Sequence, residues 1–251
     1  MTKYFNPIHL PWFIPAAGLL GIGLRIWLLA DGFDHKGLLV TGHPAAALLW
    51  LLTALVLAIL VISCMPLVQA SKYSFNYPAS YTGAVGEALA AIGILIACIQ
   101  SFSEAVDGVA WVCLILGFLS VPALGYSAWC RRKGAKVPAV LHSIACLFWM
   151  MRLVCQYRIW SPDPQLQDYC FQLLATVFLM LSSFHRAAFA ADLGQRRMSA
   201  IFQLGAVYFC MISLPGCKDW PLYLCCGIWS ALNLCSLLPM PNWRPQKKDC
   251  V

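Results

Sequence analysis

The polar side chains best placed to do chemistry lie on one otherwise apolar segment, at about residues 165–190. On a helix turning about 100° per residue, seven of them share a sector of about 120°. They are Gln165, Asp168, Gln172, Thr176, Ser182, Ser183 and Arg186. Because an unsatisfied polar group in hydrocarbon costs several kcal/mol, this face has to contact other helices or water. Two interpretations follow: hydrogen bonds between helices, or a path for a polar solute.

A second cation, Arg152, lies in the preceding apolar segment, about 12 Å along a helix from Trp160. A charge at the centre of a membrane helix costs about 2.5–3.5 kcal/mol even on the permissive insertion scale, so Arg152 needs a partner. The sequence leaves two alternatives, an ion pair with Asp168 or a bound anion. We predict a solute pathway bounded by the fifth to eighth segments. Its candidate residues are Arg152, Gln156, Asp168, Gln172, Thr176, Ser183, Arg186, Gln203 and Asn233.

Cofactor and catalytic patterns are weak or absent in the sequence. His142 and His185 lie at similar depth on neighbouring segments and are the only haem-ligand candidates. Polar contacts between helices explain them better, so we expect no cofactor. The cysteines have no metal-ligand spacing, which argues against a metal site. We also find no catalytic motif, and Glu87 is predicted to be a lone acid.

The elements that must position these residues are eight apolar segments, each long enough to cross a hydrocarbon core about 30 Å thick. They lie at about 10–30, 44–64, 84–102, 108–130, 137–159, 165–190, 198–214 and 219–238. We therefore predict an all-α integral membrane protein, a bundle of about eight transmembrane helices in a single polytopic domain over 1–251. The last two segments are short, so six spans and a re-entrant hairpin remain the alternative.

Composition excludes a soluble globular protein, because 61% of the residues are hydrophobic and only 11% are charged. Eleven lysines and arginines fall in one alternating set of connections and three in the other. Since cytoplasmic loops retain basic residues, this bias predicts that both termini are cytoplasmic. The basic residues face the lipid bilayer in short loops and no folded module presents them, so no nucleic-acid partner is predicted.

A faint internal repeat at an offset of 127 residues suggests two weakly related four-helix halves. It rests on Leu24-Arg25-Ile26 matching Met151-Arg152-Leu153.

Three functional hypotheses follow from the sequence. The leading one is a small transporter or permease-like protein for a polar or anionic solute. The alternative is a non-catalytic membrane subunit or scaffold that binds another membrane protein, and the third is an intramembrane haem protein or enzyme. A multi-pass location in the cell membrane, favouring a bacterial inner membrane, fits the absence of N-x-S/T sites.

Overall fold

The computed structural model describes residues 10–33, 40, 42–65, 67, 71–103, 105–160 and 166–237. Side chains at 10–11, 166–168 and 235–237 lie outside the description. The described part is helical and contains no strand. Its helices are α1 Leu10–Asp31, α2 Pro44–Cys64, α3 Tyr73–Asn76, α4 Tyr81–Phe102, α5 Gly108–Lys133, α6 Ala139–Trp160, α7 Leu166–Ala190, α8 Arg196–Ile212 and α9 Trp220–Leu237. Each of the eight predicted apolar segments coincides with a long helix.

Six of the described helices, α1, α2 and α4 to α7, are long and apolar enough to cross a membrane. The helices α8 and α9 contain 17 and 18 residues and fall outside that group. Large apolar side chains such as Leu51, Ile99 and Ile115 are exposed on the helix surfaces. Exposed apolar side chains along long apolar helices suit a lipid environment. The chain is therefore a multi-pass membrane protein.

Six helices form a ring in which each contacts the next, in the order α4, α5, α6, α7, α8, α9, and α9 contacts α4 again. The helices α1 and α2 lie outside the ring, where both contact α8. Of the two predicted four-helix halves, the first would contain α1, α2, α4 and α5. The helix contacts do not confirm those halves, because α4 and α5 belong to the ring whereas α1 and α2 lie outside it.

The bundle has two chemically distinct ends. At one end, α5 finishes with the basic residues Arg131-Arg132-Lys133. The N–H of Ser80, which precedes α4, donates to the Arg131 carbonyl at 3.2 Å. We call this the basic end. At the opposite end, Arg158 of α6 pairs at 3.1 Å with Asp107, which precedes α5. We call this the acidic end, and the turn between α8 and α9 also lies there.

A polar clasp joins three connections at the basic end. The Asp192 carboxylate accepts hydrogen bonds from Lys136 and, at 2.8 Å, from the Tyr73 N–H. The hydrogen bond from Lys136, and to a lesser extent that from Tyr73, lowers the pKa of Asp192 below its ordinary value, because both stabilise the ionised carboxylate. The clasp thus holds α3 against the connections between α5 and α6 and between α7 and α8.

Candidate functional site

A cavity of about 350 Å³ lies inside the ring at the acidic end. Side chains of α4, α5, α6 and α7 and the turn between α8 and α9 form its wall. Gly216 and Lys218 in that turn are exposed, so the cavity reaches the surface of the bundle. The predicted pathway was bounded by the segments that form α6 to α9. The described cavity adds α4 and α5, whose small and apolar side chains gave no polar signal in the sequence.

The most deeply buried charged side chain of the cavity wall is that of Arg152 on α6, which is only 8% exposed. Its Nη2 donates a hydrogen bond to Asp219 Oδ2 at 2.5 Å. Asp219 immediately precedes α9, which lies across the ring from α6. The sequence analysis considered Asp168 as the partner; the structure shows Asp219 in contact with Arg152, and the Asp168 side chain lies outside the description.

A second link across the ring involves Gln156, one turn from Arg152 along α6 and nearer the acidic end. Thr176 Oγ1 lies 3.0 Å from the Gln156 Oε1, and Gln156 Nε2 donates to Tyr223 Oη at 3.0 Å. Thr176 and Tyr223 are themselves 3.2 Å apart. This buried network fixes the Gln156 amide at the cavity wall, where Gln172 also lies. Tyr223 was missed because a tyrosine within an apolar run gives little polar signal, although its hydroxyl takes part in this network.

The Glu87–Arg186 ion pair forms a separate polar group nearer the basic end, between α4 and α7. Both side chains are buried, and the prediction that Glu87 is a lone acid was wrong. The Arg186 guanidinium lies over the rings of Tyr77, at 4.9 Å, and Trp229, at 5.5 Å from the ring centroids. The helices α4 and α7 are opposite each other in the ring, so this pair also crosses its interior.

Arg131 is one of the eleven basic residues that the sequence analysis counted in the connections, but it is buried at the end of α5. Its Nη1 donates to the Pro78 carbonyl at 3.0 Å, and its guanidinium lies 4.9 Å from the same Tyr77 ring that Arg186 contacts. The bias of basic residues between the connections depends on sequence position only, so it gave no information on the burial of Arg131. Two guanidinium groups therefore share one aromatic ring close to a buried carboxylate.

The remaining pathway candidates lie in helices around this basic-end group. Gln203 Nε2 donates to Tyr77 Oη at 3.2 Å and lies 3.1 Å from Ser199 Oγ. Asn233 Nδ2 donates within its own helix, to the Trp229 carbonyl. Ser183 is buried, and its hydroxyl has no hydrogen-bond partner within the described residues.

The predicted site residues thus fall into two polar groups rather than one continuous stripe. On α7, Thr176 and Arg186 are ten residues apart, or about 15 Å along the helix. Leu179 of α7 and Ile94 of α4, both fully buried, lie between the two groups along their helices.

The two haem-ligand candidates have different neighbours. His142 Nε2 lies 3.4 Å from Ser127 Oγ on α5, whereas the His185 ring stacks on Phe202 of α8 at 5.2 Å. Polar contact between helices explains His142, and aromatic packing explains His185. A haem held between them stays an untested prediction. In the part of the chain that the structure describes, no three His, Cys, Asp or Glu side chains are grouped to hold a metal ion.

Comparison with protein-family models, curated proteins and solved structures finds no match for this chain. Its function therefore has to be inferred from the cavity and the interior of the ring.

Proposed function

We propose that this multi-pass membrane protein is a small transporter or permease-like protein for a polar or anionic solute. The solute binds in the acidic-end cavity and crosses the interior of the six-helix ring. One observation carries the proposal. Arg152 is a buried arginine of a helix that is long and apolar enough to cross a membrane, and it lines a cavity that reaches the surface of the bundle.

The cost of that arginine supports a functional role. A buried ion pair pays a desolvation penalty that often exceeds its Coulomb attraction, so Arg152–Asp219 is weak evidence for stability. An ionisable group inside a membrane segment generally marks a solute or ion pathway. Gln156 and Gln172 add amide groups to the same wall, and amides can exchange hydrogen bonds with a polar solute as it moves.

The ring interior supplies a continuation of the path toward the basic end. Beyond the buried residues Leu179 and Ile94 lie Glu87 and Arg186, with Gln203 beside Tyr77. A solute passing from the cavity would meet these groups next, once the apolar residues between them move apart. Alternating access by rocking of packed helices is a common way to produce such a movement.

The orientation of the bundle in the membrane is part of the same proposal. With eight crossings and both termini cytoplasmic, the basic end faces the cytoplasm and the cavity opens on the other side of the membrane. The bias of lysines and arginines supports this orientation. The position of the turn between α8 and α9 at the acidic end, beside Arg152, supports full crossings by both helices.

The experiment is a swelling assay on vesicles that contain the purified full-length protein. Vesicles are diluted into isosmotic potassium salts of different anions with valinomycin present, so that K⁺ enters with each anion. Light scattering then reports entry without the solute being known beforehand. We expect Arg152→Gln to reduce the entry rate of the permeant anion about tenfold or more, because a charge-assisted hydrogen bond contributes about 1.5–3 kcal/mol.

The matched control is Arg158→Gln on the same helix. Arg158 also pairs with an aspartate, but its side chain is 50% exposed and contacts Asp107 at the surface. We expect this variant to keep the wild-type entry rate. Equal rates for wild type and Arg152→Gln would overturn the proposal, and a second polypeptide retained at fixed stoichiometry would instead favour a membrane subunit.

A further inference from the structure

We propose that the cavity binds a carboxylate that bears a compact apolar group, and that Asp219 is a built-in competitor for Arg152. This inference names the ligand class of the site and rests on the proposed function only for the statement that the ligand is transported. The observation behind it is an arginine whose carboxylate partner, Asp219, is held by a surface turn beside a cavity with a mostly apolar wall.

Arg152 has donor capacity that Asp219 does not use. A guanidinium binds a carboxylate most strongly through two parallel N–H donors. In the structure Nη2 donates to Asp219, while Nε is buried and has no hydrogen-bond partner among the described residues. A ligand carboxylate seated on both donors would therefore form a stronger contact than Asp219 does.

Asp219 has a second favourable position to which it can move. It occupies the N-cap position of α9, and its carbonyl already accepts the N–H of Leu222 at 3.1 Å. Aspartate is among the preferred N-cap residues, because its carboxylate accepts first-turn N–H groups and complements the helix dipole. The Asp219 side chain is 24% exposed, so leaving Arg152 does not strand its charge in hydrocarbon.

The turn that carries Asp219 allows close packing and a change of direction. Gly216 has φ of +72°, a left-handed conformation that glycine adopts at little cost. It packs against Leu29 of α1 and lines the cavity three residues before Asp219. A rearrangement of the Asp219 side chain therefore involves a short surface turn and leaves the ring helices in place.

The rest of the wall selects the other part of the ligand. Leu114 and Phe148 give the cavity an apolar lining, and Trp160 stacks on Tyr169 with ring centroids 4.5 Å apart. An apolar cavity of about 150 Å³ is sufficient for benzene. The volume of about 350 Å³ therefore accommodates one ring or a short chain together with a carboxylate. An inorganic oxyanion would leave these apolar side chains without a contact.

The experiment measures benzoate binding by titration calorimetry on the full-length protein in nanodiscs. We expect Arg152→Gln to weaken binding about tenfold or more, and Arg152→Lys to weaken it although the charge remains. Asp219→Asn keeps a good N-cap residue and removes the competing charge, so we expect it to bind benzoate about tenfold more tightly. Benzamide, which has the same ring without the charge, should bind about tenfold more weakly than benzoate.

The control for Asp219→Asn is Asp107→Asn, which removes the aspartate of the exposed Arg158 pair and should leave binding unchanged. If Asp219→Asn lowers protein yield, thermal stabilisation by benzoate reports the same order of affinities. Three results would overturn the inference: weaker benzoate binding by Asp219→Asn, tighter binding of sulfate or phosphate than of benzoate, or no heat from benzoate, cyclohexanecarboxylate or octanoate.

The two proposals fail in different ways. Benzoate binding with the expected pattern of variants, but without entry into vesicles, would leave the ligand class standing and overturn transport. Entry of inorganic anions that depends on Arg152, without carboxylate binding, would support transport and overturn the ligand class.

Discussion

At the scale of single residues, the Glu87–Arg186 pair is the most deeply buried of the ion pairs described above. Glu87 is fully buried and Arg186 is 1% exposed, so neither charge is solvated by bulk water. Removing one member leaves the other charge buried without compensation. Such a loss typically costs about 3–5 kcal/mol, whereas replacing both members by groups of similar volume is often neutral.

We therefore expect Glu87→Gln to lower the free energy of unfolding by about 3–5 kcal/mol. The double variant Glu87→Gln/Arg186→Met should recover most of that loss, because no buried charge remains. Chemical unfolding in one detergent measures both values. The surface pair Arg158–Asp107 is the comparison, and breaking it should cost at most about 1 kcal/mol.

A Glu87→Gln variant as stable as wild type would contradict this account. It would indicate that the Arg186 guanidinium is stabilised chiefly by the rings of Tyr77 and Trp229, over which it lies.

The sequence predicted that Arg152 needs a partner and that the face containing Arg186 contacts other helices or water, but it did not identify the partner of either arginine. Helical periodicity gives the face and the depth of a residue within its own helix. It contains no information on which helix lies opposite. Both observed pairs join helices that are opposite each other in the ring, Arg152 to Asp219 and Arg186 to Glu87. Asp168 was considered because it lies on the next helix along the chain.

At the scale of helices, two glycines let α4 approach α9 closely. A Cβ on Gly93 would lie 2.7 Å from Cys225 Cβ, and one on Gly86 would lie 3.2 Å from Leu232 Cβ. Both glycines belong to small-residue pairs at four-residue spacing, Gly86 with Ala90 and Gly93 with Ala97, a pattern typical of closely packed membrane helices. The α4–α9 contact closes the ring, so these glycines lie at the contact that completes it.

We expect Gly93→Ala to destabilise the protein by about 1–3 kcal/mol, the usual cost of overpacking a filled interface. Gly125→Ala on α5 is the matched control, because a Cβ there meets nothing within 4 Å. That variant should be neutral or gain about 1 kcal/mol from the higher helix propensity of alanine. Thermal unfolding of the two variants in parallel measures the difference, and equal melting temperatures would show that α4 and α9 have room to separate.

The helices themselves were largely predictable, whereas their arrangement was not. A long apolar run has to form its own backbone hydrogen bonds in a bilayer, so hydropathy indicates both the type and the approximate limits of α1, α2 and α4 to α9. The order of neighbours depends on side-chain fit between surfaces that are all apolar. The sequence therefore gave no indication that α1 and α2 lie outside the ring.

At the scale of the whole molecule, the arrangement of the two ends makes a prediction about topology. Asp219 contacts Arg152, and Gly216 packs against Leu29 near the end of α1, so the turn between α8 and α9 reaches the acidic end. Asp107, before α5, lies at that same end beside Arg158. If α8 and α9 both cross the membrane, residues near 107 and 216 face one side, and residues near 135 and 193 face the other.

Short epitope tags inserted after Asp107, Ala135, Leu193 and Gly216 test this prediction. With both termini cytoplasmic, antibodies should reach the tags after Asp107 and Gly216 in intact cells. The tags after Ala135 and Leu193 should react only once the membrane is permeabilised. The tag after Asp107 serves as the control for the tag after Gly216, because α5 is long and apolar enough to span the membrane by itself.

A tag after Gly216 that reacts together with those after Ala135 and Leu193 would make α8 and α9 a re-entrant hairpin. The cavity would then be closed by a segment that enters and leaves on the cytoplasmic side, and Asp219 would reach Arg152 from within the membrane. Reversal of all four tags would instead keep the eight crossings and invert the protein. The cavity would then open to the cytoplasm, and Arg152 would meet its ligand from the inside.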